Sequence, residues 1–322
     1  MRKLLVVILV LGLTVSLLPE SGWSEVRRIS VATSGVGGTY YPIGAAIADI
    51  LSKHMAGIEA TAVTSAGAVE NVRLLGKKQA DIAFTLALLN VKAVTGTGPF
   101  KQPVQMRPIA TLYPNLALMV TLKGSGIEGY RQLEGKRVSV GKAGSGLEGM
   151  FRPIAAAAGL REGDKYVNFS PVYLATGPTG DAIRDGRIDA GYMGGSLFSP
   201  SVKSLASQKE IFIIPVEGDI AEQIYQETNH TLGKYWAKAG LGPGFLKDGW
   251  QLEATLQLAV RPEESDEFVY GVLSTVFEHI EAMRKSHAAA HYITLERAPL
   301  GAGLPFHPGA IKFYKEKGVW KD

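Results

Sequence analysis

Cysteine is absent from all 322 residues, which excludes disulfides, thiolate metal sites and cysteine nucleophiles together. Histidine is scarce at six. Of these, His287 and His291 stand four apart, yet no acidic residue lies between them and no third ligand is obvious, so a helical zinc motif is not met. An excess of one charge is also missing: 34 basic residues face 30 acidic ones, and the net +4 is scattered along the chain. No basic stripe for nucleic acid is visible. Beyond Leu18 no uncharged apolar stretch reaches the roughly 20 residues that cross a bilayer. Catalytic signatures are lacking too, with no G-x-S-x-G elbow and nothing that pairs a nucleophile with a base. These absences predict a protein that is not an enzyme and uses no cofactor or metal.

What is present is apolar substance. Hydrophobic residues make up 46% of the chain, enough to offset chain entropy, and the length accommodates two domains of roughly 100 to 200 residues each. Arg2 and Lys3 precede an apolar run from Leu4 to Leu18, after which Pro19, Glu20, Ser21 and Gly22 break any helix. Positive end, apolar middle and small residues at the cut are the order of a secretory signal. Cleavage near Ser24 would make Glu25 the first mature residue, leaving a periplasmic protein that is not embedded in a membrane.

Short β-branched runs then alternate with helix-period segments, the pattern of parallel sheets wrapped by helices. Strands are predicted at Arg28 to Ala32, Ala60 to Thr64 and Asp81 to Phe84. Ile43, Ile47, Ile50 and Leu51 mark one helical stripe, and a second helix is predicted from Ala68 to Gly76. Two extended segments meet at Tyr113-Pro114-Asn115, and a second βα series begins at Arg137 to Gly141. It continues at Tyr166 to Val172, Ile188 to Tyr192 and Ile211 to Val216. Another extended run, Ala254 to Val260, leads into the longest predicted helix, striped by Val269, Val272, Leu273, Val276, Ile280 and Met283. A last short helix opens at Pro308. Two α/β lobes with a ligand cleft between them are expected.

Glycine-bearing turns lie at the cleft edge of this scheme. Ser34 to Tyr41 joins a strand to a helix, where glycines admit a ligand to backbone amides and the helix start favours negative charge. Its glycine spacing is not the dinucleotide fingerprint. Thr64 to Ala68 repeats the geometry. In Gly141 to Gly146 a P-loop would require Lys and Ser or Thr after the final glycine, but Leu147 follows. Ser145 and Glu148 instead form an S-x-x-E capping box.

Read in order, Gly35 to Pro42, Ala66 to Val72, Gly135 to Gly141, Gly144 to Gly146 and His307 to Ile311 resemble the TAXI family, the extracytoplasmic solute receptors of TRAP transporters. The resemblance spans about residues 28–319. It implies an α/β, two-lobed type II periplasmic-binding-protein fold that closes over a small organic ligand and delivers it to a TRAP membrane subunit. The implied lobes are residues 25–122 with 252–322, and residues 123–251, after a signal peptide at 1–24. The implied ligand-binding residues are Gly37, Gly38, Thr39, Tyr40 and Tyr41 in the first turn, and Ser65, Gly67 and Ala68 in the second. Thr85 and Leu86 follow the third strand. Gly144, Ser145, Gly146 and Leu147 face them from the second lobe, with Met193 and Gly194 beyond.

The chain departs from that family where it matters for the ligand. Leu86-Ala-Leu88 stands where family members usually carry polar residues, Leu147 replaces a hydroxyl residue, and Ala68 replaces a serine. A monocarboxylate with an apolar body is therefore expected in preference to glutamate. The rival expectation is a periplasmic sensor or scaffold with a degenerate cleft.

Overall fold

The computed structural model describes residues 26–194, 199–228, 232–301 and 303–321. The expected signal segment, residues 1–24, lies outside the described residues. The chain begins with β1 (Arg27–Ala32), which turns Ile29, Val31 and Ala32 inward. α1 (Tyr40–His54) buries Ile43, Ile47, Ile50 and Leu51 along the predicted stripe. β2 (Ile58–Val63), α2 (Ala68–Gly76) and β3 (Ile82–Leu86) complete a parallel unit in which β1 lies between its two partners. All five residues of β3 are buried, as expected of a strand covered on both faces. α3 (Ala87–Thr95) follows directly.

β4 (Arg107–Leu122) is one strand of 16 residues where two segments were expected. Pro114 is accommodated because the ladder is irregular there: Pro114 faces Thr255, and the register shifts before the next pair, Thr111 with Gln257. A missing N–H costs little at such a point. The second series comprises β5 (Arg137–Ser139), α4 (Gly146–Ala157), β6 (Arg161–Glu162), β7 (Lys165–Tyr166), β8 (Ser170–Val172) and α5 (Thr176–Arg184). The expected strand at 166–172 is divided by Asn168, which adopts φ 63°. β9 (Ala190–Gly194), α6 (Pro200–Ala206), β10 (Ile211–Ile214), α7 (Gly218–Glu227) and β11 (Leu232–Ala237) lead to β12 (Gly249–Val260). The helix expected to be longest breaks at His279 (φ −111°, ψ 24°) into α8 (Asp266–Glu278) and α9 (Ile280–Ser286). α1, at 15 residues, exceeds both. α10 (Pro308–Glu316) opens with His307 as its cap, the ring accepting from the N–H of Gly309 at 3.2 Å.

The strand order is β2-β1-β3-β12-β4-β9-β5-β8, with β10 on β4 and β11 on β12. Two parallel groups thus hang from a central antiparallel pair. β4 pairs with β12 through Pro114 and with β9 from Ala117 onward, so the passage between groups lies inside the strand. Side-chain alternation along this half of β4 feeds two cores: Ala117 and Met119 join the larger, while Leu116, Leu118 and Val120 pack with Ile183, Val202 and Leu205.

Candidate ligand-binding site

Four turns converge where the two groups of strands meet. In the first group, the turns after β1 and β2 are tied together by Asn71 on α2, which is fully buried. Its amide donates to the carbonyls of Thr33 at 2.7 Å and Phe84 at 2.8 Å, and its Oδ1 accepts from Ser65 Oγ at 2.6 Å. Thr33 Oγ1 adds a bond to the carbonyl of Val63 at 2.8 Å. Gly67, at φ 104° and with a Ser65 Oγ acceptor 2.8 Å from its N–H, starts α2 in a conformation closed to other residues.

In the second group, Ser145 caps α4 by accepting from the N–H of Glu148 at 3.2 Å. Only half of the expected capping box forms. The Glu148 carboxylate, buried, takes Arg152 Nε at 2.7 Å and the hydroxyl of Tyr166 at 3.1 Å instead. Burial first, and the Glu148 charge second, push the Tyr166 phenol well above its ordinary range. Ser145→Ala should lower stability by about 1 kcal/mol, the ordinary worth of such a cap, as read from the midpoint of urea denaturation.

Between these turns lies a cavity of about 730 Å³. α1, α2, α4 and α5 all begin at its wall, and α1, α2 and α5 have no side-chain cap bond among the described residues. First-turn N–H groups, which lack partners within their own helices, and the positive ends of four helices therefore converge on one space. Lys142 is the cation among the described lining residues, and it is exposed. The lining carboxylates are engaged elsewhere: Glu70 accepts from the N–H of Ala66, and Asp181 pairs with Arg184 at 2.8 Å. Ala68, Leu86, Leu147 and Met150 supply apolar wall. Tyr40 stacks on Phe84 with centroids 5.3 Å apart, and burial raises its phenol far above the usual value, keeping it neutral.

The two rims touch. Ser201 Oγ, on α6, donates to the carbonyl of Gly37 at 2.7 Å. Deeper in, a Cβ placed on Gly146 would lie 3.2 Å from Ala68 and 3.3 Å from Leu86 and Leu89, so α4 of one group starts in contact with α2 and α3 of the other.

Of the residues expected at the ligand, Gly37, Gly38, Thr39, Tyr40, Ser65, Gly67, Ala68, Leu86, Ser145, Gly146, Leu147 and Gly194 line this cavity. Tyr41, Thr85, Gly144 and Met193 do not. Thr85 is one strand position from Leu86, fully buried, and donates to Asn90 Oδ1 at 2.8 Å. Met193, likewise one position from Gly194, is packed into the smaller core. Gly144 is an exposed turn glycine at φ 71°, and Tyr41 is half-buried in the first turn of α1. Leu88, expected at the cleft, packs on the larger core. Missed from sequence were Lys142, Met150, Thr176, Gly177 and, above all, Asn115. The signal for Asn115 was there: it is the amide, with Thr111 the other polar residue, in the otherwise apolar run from Ile109 to Val120.

The sequence model of the NMT1-like family matches residues 31–318. Among solved structures, the binding-protein component of an ABC phosphonate transporter from Pseudomonas aeruginosa is 13% identical, with a TM-score of 0.55 over 84% of this chain and 81% of that one. A putative L-cystine ABC transporter protein from Listeria monocytogenes is 14% identical, at 0.51 over 84% and 99%. The alkanesulfonate-binding protein SsuA from Xanthomonas axonopodis pv. citri, bound to MOPS, is 12% identical, at 0.50 over 91% of both chains. These likenesses establish the two-lobed periplasmic-binding-protein fold. The resemblance to TAXI receptors is overturned: the matching family is NMT1-like, and the phosphonate and L-cystine proteins belong to ABC, not TRAP, systems. The motifs behind that resemblance are glycine turns and helix starts. Such features arise from turn geometry and capping within a few residues, so they do not by themselves distinguish one family from another.

Proposed function

The chain belongs to the NMT1-like family, and from that premise we propose that it is an exported solute receptor for a small organic anion, serving the membrane component of an ABC-type importer. It binds its ligand without chemical change. The observation that carries this reading is the convergence of four helix starts on one cavity of about 730 Å³, because backbone N–H groups and helix dipoles there favour a carboxylate, sulfonate or phosphonate. The phosphonate and alkanesulfonate named for two proteins of the same fold are ligands of that class. Leu86, Leu147 and Met150 on the wall favour an apolar body on the anion. The expected lobes, residues 25–122 with 252–322 and residues 123–251, meet within β4, whose half from Leu116 packs alternately into the second lobe's core, and they rotate about β4 and β12.

Export rests on Arg2, Lys3 and the run from Leu4 to Leu18. Among the described residues no helix is long and apolar enough to cross a membrane. N-terminal sequencing of the mature protein should begin near Glu25; a mature chain still starting at Met1 refutes the cleavage.

A thermal-shift panel of alkyl carboxylates, sulfonates and phosphonates tests the receptor reading. A fitting anion at a hundredfold excess over its Kd stabilises the protein by roughly 2.7 kcal/mol through mass action. If no anion raises the melting temperature, the reading fails.

A further inference from the structure

Resting on that reading, we propose that the receptor selects anions that also carry an uncharged hydrogen-bond donor, and that Asn115 recognises this donor at the junction of the lobes. Asn115 lies at the point in β4 where pairing passes from β12, last seen at Pro114, to β9, first seen at Ala117. It lines the cavity and is only 4% exposed. Its Oδ1 is buried with no hydrogen-bond partner among the described residues. A buried amide oxygen without a donor is a costly choice for an interior strand, and its neighbours Leu116 and Leu118 show that the strand accepts apolar residues. A ligand N–H or O–H brought into the cavity removes that cost.

The rest of the wall narrows the chemistry. A second anionic group finds no further cation among the described lining residues, since Lys142 is the one available, and the helix starts serve the first group. A ligand ammonium would have to share its carboxylate, Glu70 with the Ala66 N–H or Asp181 with Arg184. An uncharged donor suits an amide oxygen in a cavity whose wall also carries Leu86, Leu147 and Met150, without the desolvation a buried charge demands.

Matched probes test this: alkane-1-sulfonates of three to six carbons ending in methyl, hydroxyl or ammonium, titrated calorimetrically into the wild-type chain and into Asn115→Leu and Asn115→Asp. The hydroxyl probe of best length should bind wild type about tenfold more tightly than its methyl counterpart, and that advantage should vanish in Asn115→Leu. Methyl-probe binding should survive in Asn115→Leu, which also demonstrates that the variant folds. Asn115→Asp should shift preference to the ammonium probe. If methyl probes equal or exceed hydroxyl probes at every length in wild type, the Asn115 inference is overturned while the receptor reading stands. If the hydroxyl advantage persists in Asn115→Leu, another residue reads the donor and the inference is likewise overturned. If no sulfonate, carboxylate or phosphonate binds at all, the receptor reading itself fails.

Discussion

Gly37→Ala should leave the ligand-free protein folded and weaken ligand binding by roughly 30- to 1000-fold, that is about 2 to 4 kcal/mol. The reason is local to the closed rims. A Cβ on Gly37 would sit 2.4 Å from Ser201 Oγ and 3.1 Å from the Cα of Gly177, which belong to α6 and α5 of the second group. The serine hydroxyl can rotate away, but doing so breaks its 2.7 Å bond to the Gly37 carbonyl. The Gly177 backbone cannot yield without moving the start of α5. Because Gly37 does not occupy the left-handed region, alanine is tolerated by its own backbone and the clash exists only when the rims meet. Calorimetry supplies the affinity and small-angle scattering the compaction on ligand addition, which should be lost. Ser201→Ala alone should weaken binding by about 1 kcal/mol. In the double variant the two effects should fall short of their sum, since removing the hydroxyl relieves the closer clash. Unchanged affinity in Gly37→Ala would show that ligand binding does not need this contact.

The largest loss of stability is expected from Asn71→Ala, at roughly 3 to 4 kcal/mol. The side chain is fully buried and joins β1, the turn after β2 and the end of β3 through bonds to Thr33, Phe84 and Ser65. Truncation takes the amide donor from the Phe84 carbonyl, leaves the Thr33 carbonyl with the Ser65 hydroxyl at 3.1 Å alone, and deprives that hydroxyl of its 2.6 Å acceptor. Asn71→Asp separates hydrogen bonding from volume. It keeps an acceptor for Ser65 but turns the donor toward Thr33 and Phe84 into a second acceptor, so it should destabilise at least as much as alanine. Urea denaturation should show the midpoint falling with the slope unchanged. A loss below about 1 kcal/mol in Asn71→Ala would mean that water replaces the amide and that the turns are held by other bonds.

Local physics made much of the molecule legible in advance. The stripe of α1, the glycine-started turns, the Ser145 cap and the proline opening of α10 depend on residues within a few positions of one another, and twelve of the sixteen residues expected at the ligand, Gly37 and Leu147 among them, line one cavity. Where the reading slipped, the deciding interaction came from far along the chain. Successive side chains of β3 and β9 point to opposite faces, but which face meets the cleft is set by packing, so Leu86 and Gly194 line it while Thr85 and Met193 turn inward. Pro114 reads locally as a strand end; the irregular register opposite Thr255 lets β4 run through it.

The α/β alternation, the helix starts and the absence of cysteine chemistry follow from the order of residues alone, because propensity, capping and composition act over short spans. Contacts distant along the chain settle that the Asn115 Oδ1 is buried without a hydrogen-bond partner among the described residues where the two groups of strands join, and that Ser201 reaches Gly37 across 164 positions. Both follow from how two groups of strands are joined through β4 and β12, and that junction is made by contacts between residues too distant in sequence for any periodicity to record.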